Sequence, residues 1–195
     1  MARPREFDRD AALRQAMEVF WRNGYAATST EDLLTAMKIG RQSLYDTFGD
    51  KRRLYVEALG TYQQASISDN IDRLRSADSP IGGIEALLLG LINAGKAARQ
   101  MGCMGVNSIS EFGASDPELA ELRTKAGGLQ HRVLLDRLRE GQAKGEIESG
   151  TDLEGAAGFI EMAMLGIRVS AKAGESPRSL RKTVDFVVAA LRAKN

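Results

Sequence analysis

The fold of this chain is decided by residues 28–51, which read TSTEDLLTAMKIGRQSLYDTFGDK. The apolar residues of this stretch recur at helical spacing, and Lys38-Ile39-Gly40 interrupts them. The pattern predicts two short helices, over 29–37 and 41–47, joined by a three-residue break. A pair of helices with this spacing is typical of a helix-turn-helix, in which the first helix supports the second.

The second predicted helix has an apolar face and a polar face. Leu44 and Phe48 lie one turn apart and are expected to be buried, whereas the opposite face carries Arg41, Gln42, Ser43, Tyr45 and Thr47. Arginine binds guanine O6 and N7 through two hydrogen bonds, and glutamine binds adenine N6 and N7 in the same way. The polar face therefore predicts a helix that reads double-stranded DNA from the major groove.

Other groups near this helix suit phosphate. Lys51, at the start of the following helix, and the Tyr45 hydroxyl are placed to reach a DNA backbone. The first helix of the pair starts near Thr28 and Ser29, where free backbone N–H groups favour an anion. Thr28 and Glu31 have the spacing of a capping box, which predicts Thr28 as the N-cap.

The rest of the chain is also helical in pattern, and no period-two alternation predicts a strand. Candidate caps at Asp50, Ser79, Asp116, Thr151 and Ser176 mark the starts of longer helices. An all-α fold of about nine helices follows, over residues 8–23, 29–37, 41–47, 50–75, 80–100, 104–113, 116–144, 151–173 and 177–193. The change from short to long helices predicts a DNA-binding domain over 1–57 and a second helical domain over 58–195.

Composition narrows the classes of protein. The 195 residues have a formal net charge of +1, with 43% hydrophobic and 27% charged residues, as in an ordinary globular protein. No apolar run reaches the roughly 18 residues of a membrane span, and MARPREFDRD at the start lacks the apolar stretch of a secretory signal. With one Cys and one His, the chain lacks the usual zinc clusters and an internal disulfide. We therefore expect a cytoplasmic protein without metal or cofactor.

The N-terminal third resembles a known family. Residues 3–59 are similar to the DNA-binding domain of the TetR family of bacterial transcriptional regulators (TetR/AcrR type). The resemblance rests on FWRNGY at the end of the first helix, TSTEDL at the start of the second, and SLYDTFGDK in the third. These motifs stand in the family's order and spacing, which makes them far more specific than two short helices alone.

The resemblance implies a homodimer that binds a palindromic operator through the first three helices of each chain. It also implies a C-terminal domain with an inducer pocket and a four-helix dimer interface. By motif position, it implies phosphate contacts from Thr28, Tyr45 and Lys51 and places Arg41, Gln42 and Ser43 nearest the bases.

Three features of the N-terminal domain depart from the family or stay open. Many relatives have Gly at position 38 and Ser or Thr at position 40, whereas this chain has Lys38 and Gly40, so a side-chain cap is missing. Asp46-Thr47 stands where an aromatic residue or His is often found, so the base preference of a relative cannot be copied. Arg3 and Arg5 are either a minor-groove arm or a tail.

The C-terminal helices contain a candidate ligand pocket. Met and Phe suit an adaptable apolar cavity, although core packing explains the same residues equally well. The candidates for binding a largely hydrophobic inducer are Met104, Phe112, His131, Phe159 and Met162. Cys103 borders this set and is either a buried thiol or a redox sensor.

The last two helices are the candidate dimer interface. Helix 151–173 carries small residues that allow a close approach between helices, and helix 177–193 carries an apolar stripe. We expect Val187 and Leu191 of that stripe to lie in the interface between two copies.

These observations favour a ligand-responsive repressor that holds two recognition helices about 34 Å apart, with ligand binding changing that separation. An activator of the same family is one alternative. An all-α enzyme or small-molecule-binding protein with structural N-terminal helices is the other, and the exposed Arg41-Gln42-Ser43 beside Lys51 argues against it.

Overall fold

A computed structural model of the chain describes residues 7–93 and 95–193, without the Lys96 side chain. The described residues form ten α-helices, and their only β-type pairing is an isolated bridge between Ile147 and Arg192. The predicted all-α fold is therefore confirmed. The helices are α1 (Arg9–Asn23), α2 (Thr30–Met37), α3 (Arg41–Phe48), α4 (Lys51–Arg75), α5 (Pro80–Ile92), α6 (Lys96–Met101), α7 (Met104–Phe112), α8 (Pro117–Ala143), α9 (Leu153–Lys172) and α10 (Pro177–Leu191).

One predicted helix is two helices in the structure. The pattern over 80–100 continues past Ile92, but α5 ends there, with the Asn93 N–H donating to the Leu89 carbonyl at 3.0 Å. Gly95 precedes α6, and glycine inside a helix costs roughly 1 kcal/mol relative to alanine. Apolar periodicity alone did not reveal this break.

The N-cap of α2 also differs from the prediction. Ser29, not Thr28, caps the helix, and Asp32, not Glu31, completes the capping box. The Asp32 N–H donates to Ser29 Oγ at 3.1 Å, and the Ser29 N–H donates to Asp32 Oδ2 at 2.8 Å. The prediction was wrong by one residue because adjacent Thr-Ser-Thr residues offer the same hydroxyl in three positions.

The described residues divide into two compact units. The first unit contains the residues up to Gln64 together with Met104–Leu122. Its core joins α1 to α4 with α7 and the start of α8 and contains Phe20, Leu33, Leu44, Leu54, Tyr55, Leu59, Met104 and Leu119. Residues 104–122 therefore pack with the N-terminal helices, which the proposed boundary at 57/58 did not anticipate.

The second unit contains Ala65–Cys103 and the residues from Arg123 onward. Its core is built from α5, α8, α9 and α10 around Leu87, Leu134, Ile160 and Val184, each 0% exposed. Among the described residues no single helix is long and apolar enough to cross a membrane, although Pro80–Ile92 and Ala97–Phe112 pass that test when joined across a bend.

Candidate nucleic-acid interface

The recognition helix α3 is anchored through its apolar face. Leu44 is 0% exposed and Phe48 is 5% exposed in the core of the first unit. The Arg9 guanidinium lies 4.8 Å from the centroid of the Phe48 ring and forms an ion pair with Glu57 at 2.7 Å. Residues from α1 and α4 thus hold the end of α3, so its polar face is presented on a fixed support.

The polar face of α3 is exposed as predicted. The Arg41 side chain is 56% exposed and Tyr45 is 45% exposed, and Arg41 forms an ion pair with Glu31 of α2. Gln42, also exposed, donates from Nε2 to Asp46 Oδ1 at 2.8 Å. The two side chains with base-reading chemistry are therefore accessible, but each is paired with a carboxylate.

The remaining predicted residues of α3 and α4 are less exposed. Ser43, Thr47 and Lys51 are half-buried. The Lys51 ammonium lies 4.3 Å from the centroid of the Tyr25 ring, where the face of the ring attracts a cation. This contact holds the charge of Lys51 at the first turn of α4, beside the recognition helix.

The start of α2 offers one accessible predicted residue and one buried residue. Thr28 is 1% exposed, its Oγ1 donates to the Gly24 carbonyl at 2.6 Å, and its N–H donates to the Tyr25 carbonyl at 3.3 Å. Ser29 is exposed, and hydrogen bonds from its hydroxyl and its N–H lower the pKa of Asp32. Thr28 thus supports the turn and, in this conformation, uses both its donors within it.

The turn between α2 and α3 contains the two residues, Lys38 and Gly40, at which the sequence departs from the family pattern. Lys38 ends α2 with φ 55°, in the left-handed region, and it is the only residue other than glycine with a positive φ among those described. Gly40 is the N-cap of α3 and makes no side-chain capping bond. A side chain thus occupies the strained position, and a glycine occupies the position where a hydroxyl would cap. Arg3 and Arg5 lie outside the described residues.

Sequence reasoning missed a set of residues that brace the first unit. Glu111 of α7 accepts the Tyr25 N–H at 2.9 Å, and Arg52 of α4 donates to Asp116 at 2.6 Å. Phe112 packs between them, with its ring centroid 5.4 Å from that of Tyr25. The partners are more than sixty positions apart in the chain, so no local spacing could have indicated these contacts.

Two matches decide the family. Residues 12–58 match the family described as "Bacterial regulatory proteins, tetR family", and residues 80–187 match "Tetracyclin repressor-like, C-terminal domain". The chain belongs to the TetR family. It is 31% identical over 193 residues to the uncharacterized HTH-type transcriptional regulator YezE of Bacillus subtilis, covering 98% of this chain and 100% of YezE. It is thus a transcriptional regulator, and the alternative of an all-α enzyme is not favoured.

Two further relatives have more specific descriptions. The HTH-type transcriptional repressor ComR of Escherichia coli is 30% identical over 182 residues, which cover 91% of this chain and 86% of ComR. The TetR family transcriptional regulator CifR, solved as a cysteine mutant complexed with 26-base-pair double-strand operator DNA, is 33% identical. That structure covers 96% of this chain and 99% of CifR, with a TM-score of 0.81.

The residues predicted for the inducer pocket of this TetR-family chain are distributed over both units. Met104 is 1% exposed, and Met104 and Phe112 pack in the first unit. In the second unit, Phe159 is 45% exposed and Met162 is 74% exposed on α9. A cleft of about 300 Å³ in the second unit is lined by other residues, among them Ser79, Glu146 and Arg192. The pocket therefore stays a prediction.

His131 is held between two carboxylates of α9. Its Nε2 lies 3.1 Å from Glu154 Oε2, and its Nδ1 lies 3.2 Å from Glu161 Oε1. Burial alone would lower the pKa of His131, but the hydrogen bonds and charges of the two glutamates outweigh it and raise this pKa. These contacts therefore link α8 to α9 and favour the protonated form of His131.

Two residues that were predicted to lie in the dimer interface of this TetR-family chain are instead buried within it. Val187 is 1% exposed and Leu191 is 5% exposed, so both belong to the core of the second unit. That apolar stripe is the inner face of α10, and Phe186 next to it is 70% exposed. On α9 the exposed apolar side chains follow one another at helical spacing and are Phe159, Met162, Leu165 and Val169.

Proposed function

We propose that this TetR-family chain is a repressor that binds a palindromic operator as a homodimer and releases it when a small molecule binds. The observation that carries the proposal is the polar face of α3, where Arg41 and Gln42 are exposed on a helix fixed by Leu44 and Phe48. Those two side chains have the donors that read guanine and adenine in the major groove. Acting on DNA, the protein would work in the bacterial cytoplasm.

The contacts divide into two classes. Arg41, Gln42 and Ser43 would read bases, whereas Ser29, Tyr45, Thr47 and Lys51 would bind phosphate and fix the register on the duplex. Thr28 would contact phosphate only after its hydroxyl leaves the Gly24 carbonyl. Arg3 and Arg5 precede α1, where an arm that enters the minor groove would start.

Binding would exchange intramolecular pairs for DNA contacts. Arg41 would leave Glu31, and Gln42 would leave Asp46, before either side chain reaches a base. Both contacts are exposed, where water screens the charges and competes for the hydrogen bonds, so the exchange costs little. The carboxylates of Glu31 and Asp46 also disfavour phosphate close to α3.

A second copy of the chain would cover the exposed face of α9. Met162 at 74% exposure and Phe186 at 70% exposure are large apolar side chains in contact with solvent on the last two helices. Contiguous exposed apolar side chains mark interaction surfaces. A symmetric pairing of α9 and α10 from two chains makes a four-helix interface and presents two α3 helices to the two halves of a palindrome.

The description of two relatives as repressors, ComR and BdcR of Escherichia coli, supports repression over activation. The complex of CifR with operator DNA supports operator binding by this chain. The inducer would occupy the C-terminal helices and shift the population between two separations of the α3 helices.

Selection of binding sites from random DNA, followed by fluorescence anisotropy at a stated salt concentration, tests the proposal. We expect an enriched palindrome bound in the nanomolar range and at least about 1,000-fold more tightly than scrambled DNA. Placing the palindrome between a promoter and a reporter should lower expression when the protein is present. Equal affinity for selected and scrambled DNA would contradict operator binding, and raised expression would indicate an activator.

A further inference from the structure

A chain of polar side chains crosses the second unit between α4 and α8. Asn70 is 1% exposed, and its Nδ2 donates to Gln130 Oε1 at 2.7 Å. Arg73, one turn further along α4, donates to Asn70 Oδ1 at 3.4 Å. Burying amides in a helical core is costly unless their hydrogen bonds are satisfied. These polar side chains therefore carry a free-energy cost that an apolar core would avoid.

This group of polar side chains has more hydrogen-bond donors than strong acceptors. Gln130 Nε2 donates to the Met164 thioether on α9, with 3.7 Å between nitrogen and sulfur. A thioether is a weak acceptor, so this amide group lacks an oxygen partner where it faces α9. A ligand oxygen in the place of the sulfur would satisfy it, and the flexible Met side chain can move aside.

Arg168 provides a positive charge on the same side of α9, one turn after Met164. Its Nη2 lies 3.4 Å from Ser66 Oγ, and Ser66 is one turn before Asn70 on α4. Within 7–93 and 95–193, no carboxylate lies within ion-pairing distance of this half-buried guanidinium. A partly desolvated charge is stabilised by an opposite charge, and here a long hydrogen bond to a hydroxyl is all it has.

Arg73, the other arginine near these polar side chains, already has a carboxylate partner. Arg73 lies 3.9 Å from Asp69, and Gly90 of α5 leaves room for it, because a Cβ there would come within 2.3 Å of Arg73 Cδ. One guanidinium without a carboxylate partner matches a single negative charge. The fork of that guanidinium matches the two oxygens of a carboxylate.

We propose that Ser66, Gln130 and Arg168 bind the carboxylate of a small molecule whose remaining part is apolar, with Asn70 holding Gln130 in position. The inference rests on the ligand response proposed above and names the class of ligand. Arg168 forms the charge-assisted bond, Gln130 donates to the second oxygen, and Ser66 completes the site. The apolar body packs near Met164 and Ile167, which are both buried on the same helix.

Paired probes test this inference on the full-length protein without DNA. Each pair consists of a carboxylate and its primary amide with the same body: benzoate and benzamide, phenylbutyrate and phenylbutyramide, decanoate and decanamide. Isothermal calorimetry and thermal shift measure binding to the wild type, Arg168→Gln and Ser66→Ala. Arg132→Gln, which removes an exposed arginine of α8, is the matched control. Because operator binding is measured separately, failure of either proposal is distinguishable from failure of the other.

We expect the wild type to prefer at least one carboxylate over its amide by about tenfold or more, as a charge-assisted hydrogen bond implies. Arg168→Gln should reduce this preference to near parity while affinity for the amide stays the same, and Arg132→Gln should keep it. If Arg168→Gln does not fold, Ser66→Ala should still lower carboxylate affinity several-fold. Equal binding of both members of every pair, no saturable carboxylate binding, or a preference that survives in Arg168→Gln would overturn the proposal.

Discussion

Arg41 at the first turn of α3 forms an ion pair with Glu31 in the first turn of α2. The pair holds the guanidinium against the first turn of α2 in the absence of DNA. A carboxylate beside a base-reading arginine competes with guanine and also repels phosphate. In the proposed complex Arg41 also binds a base, so replacing it would remove one interaction in the free protein and one in the complex, and only the second depends on base sequence.

We predict that Arg41→Ala and Gln42→Ala each weaken binding to the selected operator by roughly 5- to 150-fold and relax preference at one position per half-site. The reason is the loss of paired hydrogen bonds to one base. Anisotropy titrations against operators with single base changes measure both effects. Arg75→Ala, an exposed arginine at the end of α4, is the control and should bind like the wild type. Unchanged affinity and preference in both variants would show that α3 docks differently.

Lys51 should act on all sequences alike. Lys51→Gln removes a charge held at the first turn of α4 by the Tyr25 ring, 4.3 Å away. We expect the slope of log affinity against log salt to flatten by about one unit and base preference to stay the same, because phosphate contacts carry no sequence information. Titrations between 50 and 300 mM salt, roughly a 2.4-fold change in Debye length, would measure the slope. Altered base preference with an unchanged slope would place Lys51 against a base instead.

The turn between α2 and α3 should become more stable when its two unusual residues are changed. Lys38 has a φ of 55°, which costs L-residues about 1–2 kcal/mol, and glycine adopts it without that cost. Allowing for the greater freedom of glycine in the unfolded chain, Lys38→Gly should gain roughly 0.5–1 kcal/mol, or a few degrees in Tm. Gly40→Ser should add a few tenths of a kcal/mol by capping α3, since a Cβ there meets nothing within 4 Å.

Urea denaturation measures both changes, and Lys38→Ala is the control that removes the charge but keeps the strained conformation. Lys38→Ala should leave the free energy of unfolding nearly unchanged. A gain in Lys38→Ala equal to that in Lys38→Gly would mean that charge, not backbone conformation, limits stability at this turn.

Local patterns predicted the local structure well. Asp50 caps α4 through the Arg53 N–H at 2.8 Å, and Ser79 caps α5 through the Gly82 N–H at 3.1 Å, as the sequence indicated. Apart from the N-cap of α2 and the break after Ile92, the failures arise where a local pattern does not determine the partner. The stripe through Val187 is apolar whether it faces its own core or a second chain, so periodicity could not distinguish the two. Glu111 reaches Tyr25 across 86 positions, and only the folded chain brings them together.

The stability of the second unit should depend on the protonation of His131. Its pKa is raised in the folded protein, so the folded state binds the proton more tightly than the unfolded chain does. The stabilisation is fully present below the unfolded value of about 6.5 and is lost as pH rises through the raised folded value. The free energy of unfolding of the wild type should therefore exceed that of His131→Gln, and this difference should be larger at pH 6 than at pH 9. A difference that does not change with pH, or that grows toward pH 9, would contradict the link from His131 to Glu154 and Glu161.

The exposed apolar face of the last helices should control assembly, separately from the fold. Met162→Glu with Phe186→Glu places charges on side chains that are 74% and 70% exposed, so each chain should stay helical while sedimentation shows monomers. Operator affinity should fall sharply, because one half-site supplies only part of the contacts. Val187→Asp places a carboxylate where the side chain is 1% exposed, which costs several kcal/mol, and should lose helical circular dichroism as well. Arg75→Glu is the control for added negative charge and should stay dimeric. An intact dimer in the Met162 and Phe186 double variant would show that the interface lies elsewhere, because burying two charges without partners on this face would be too costly.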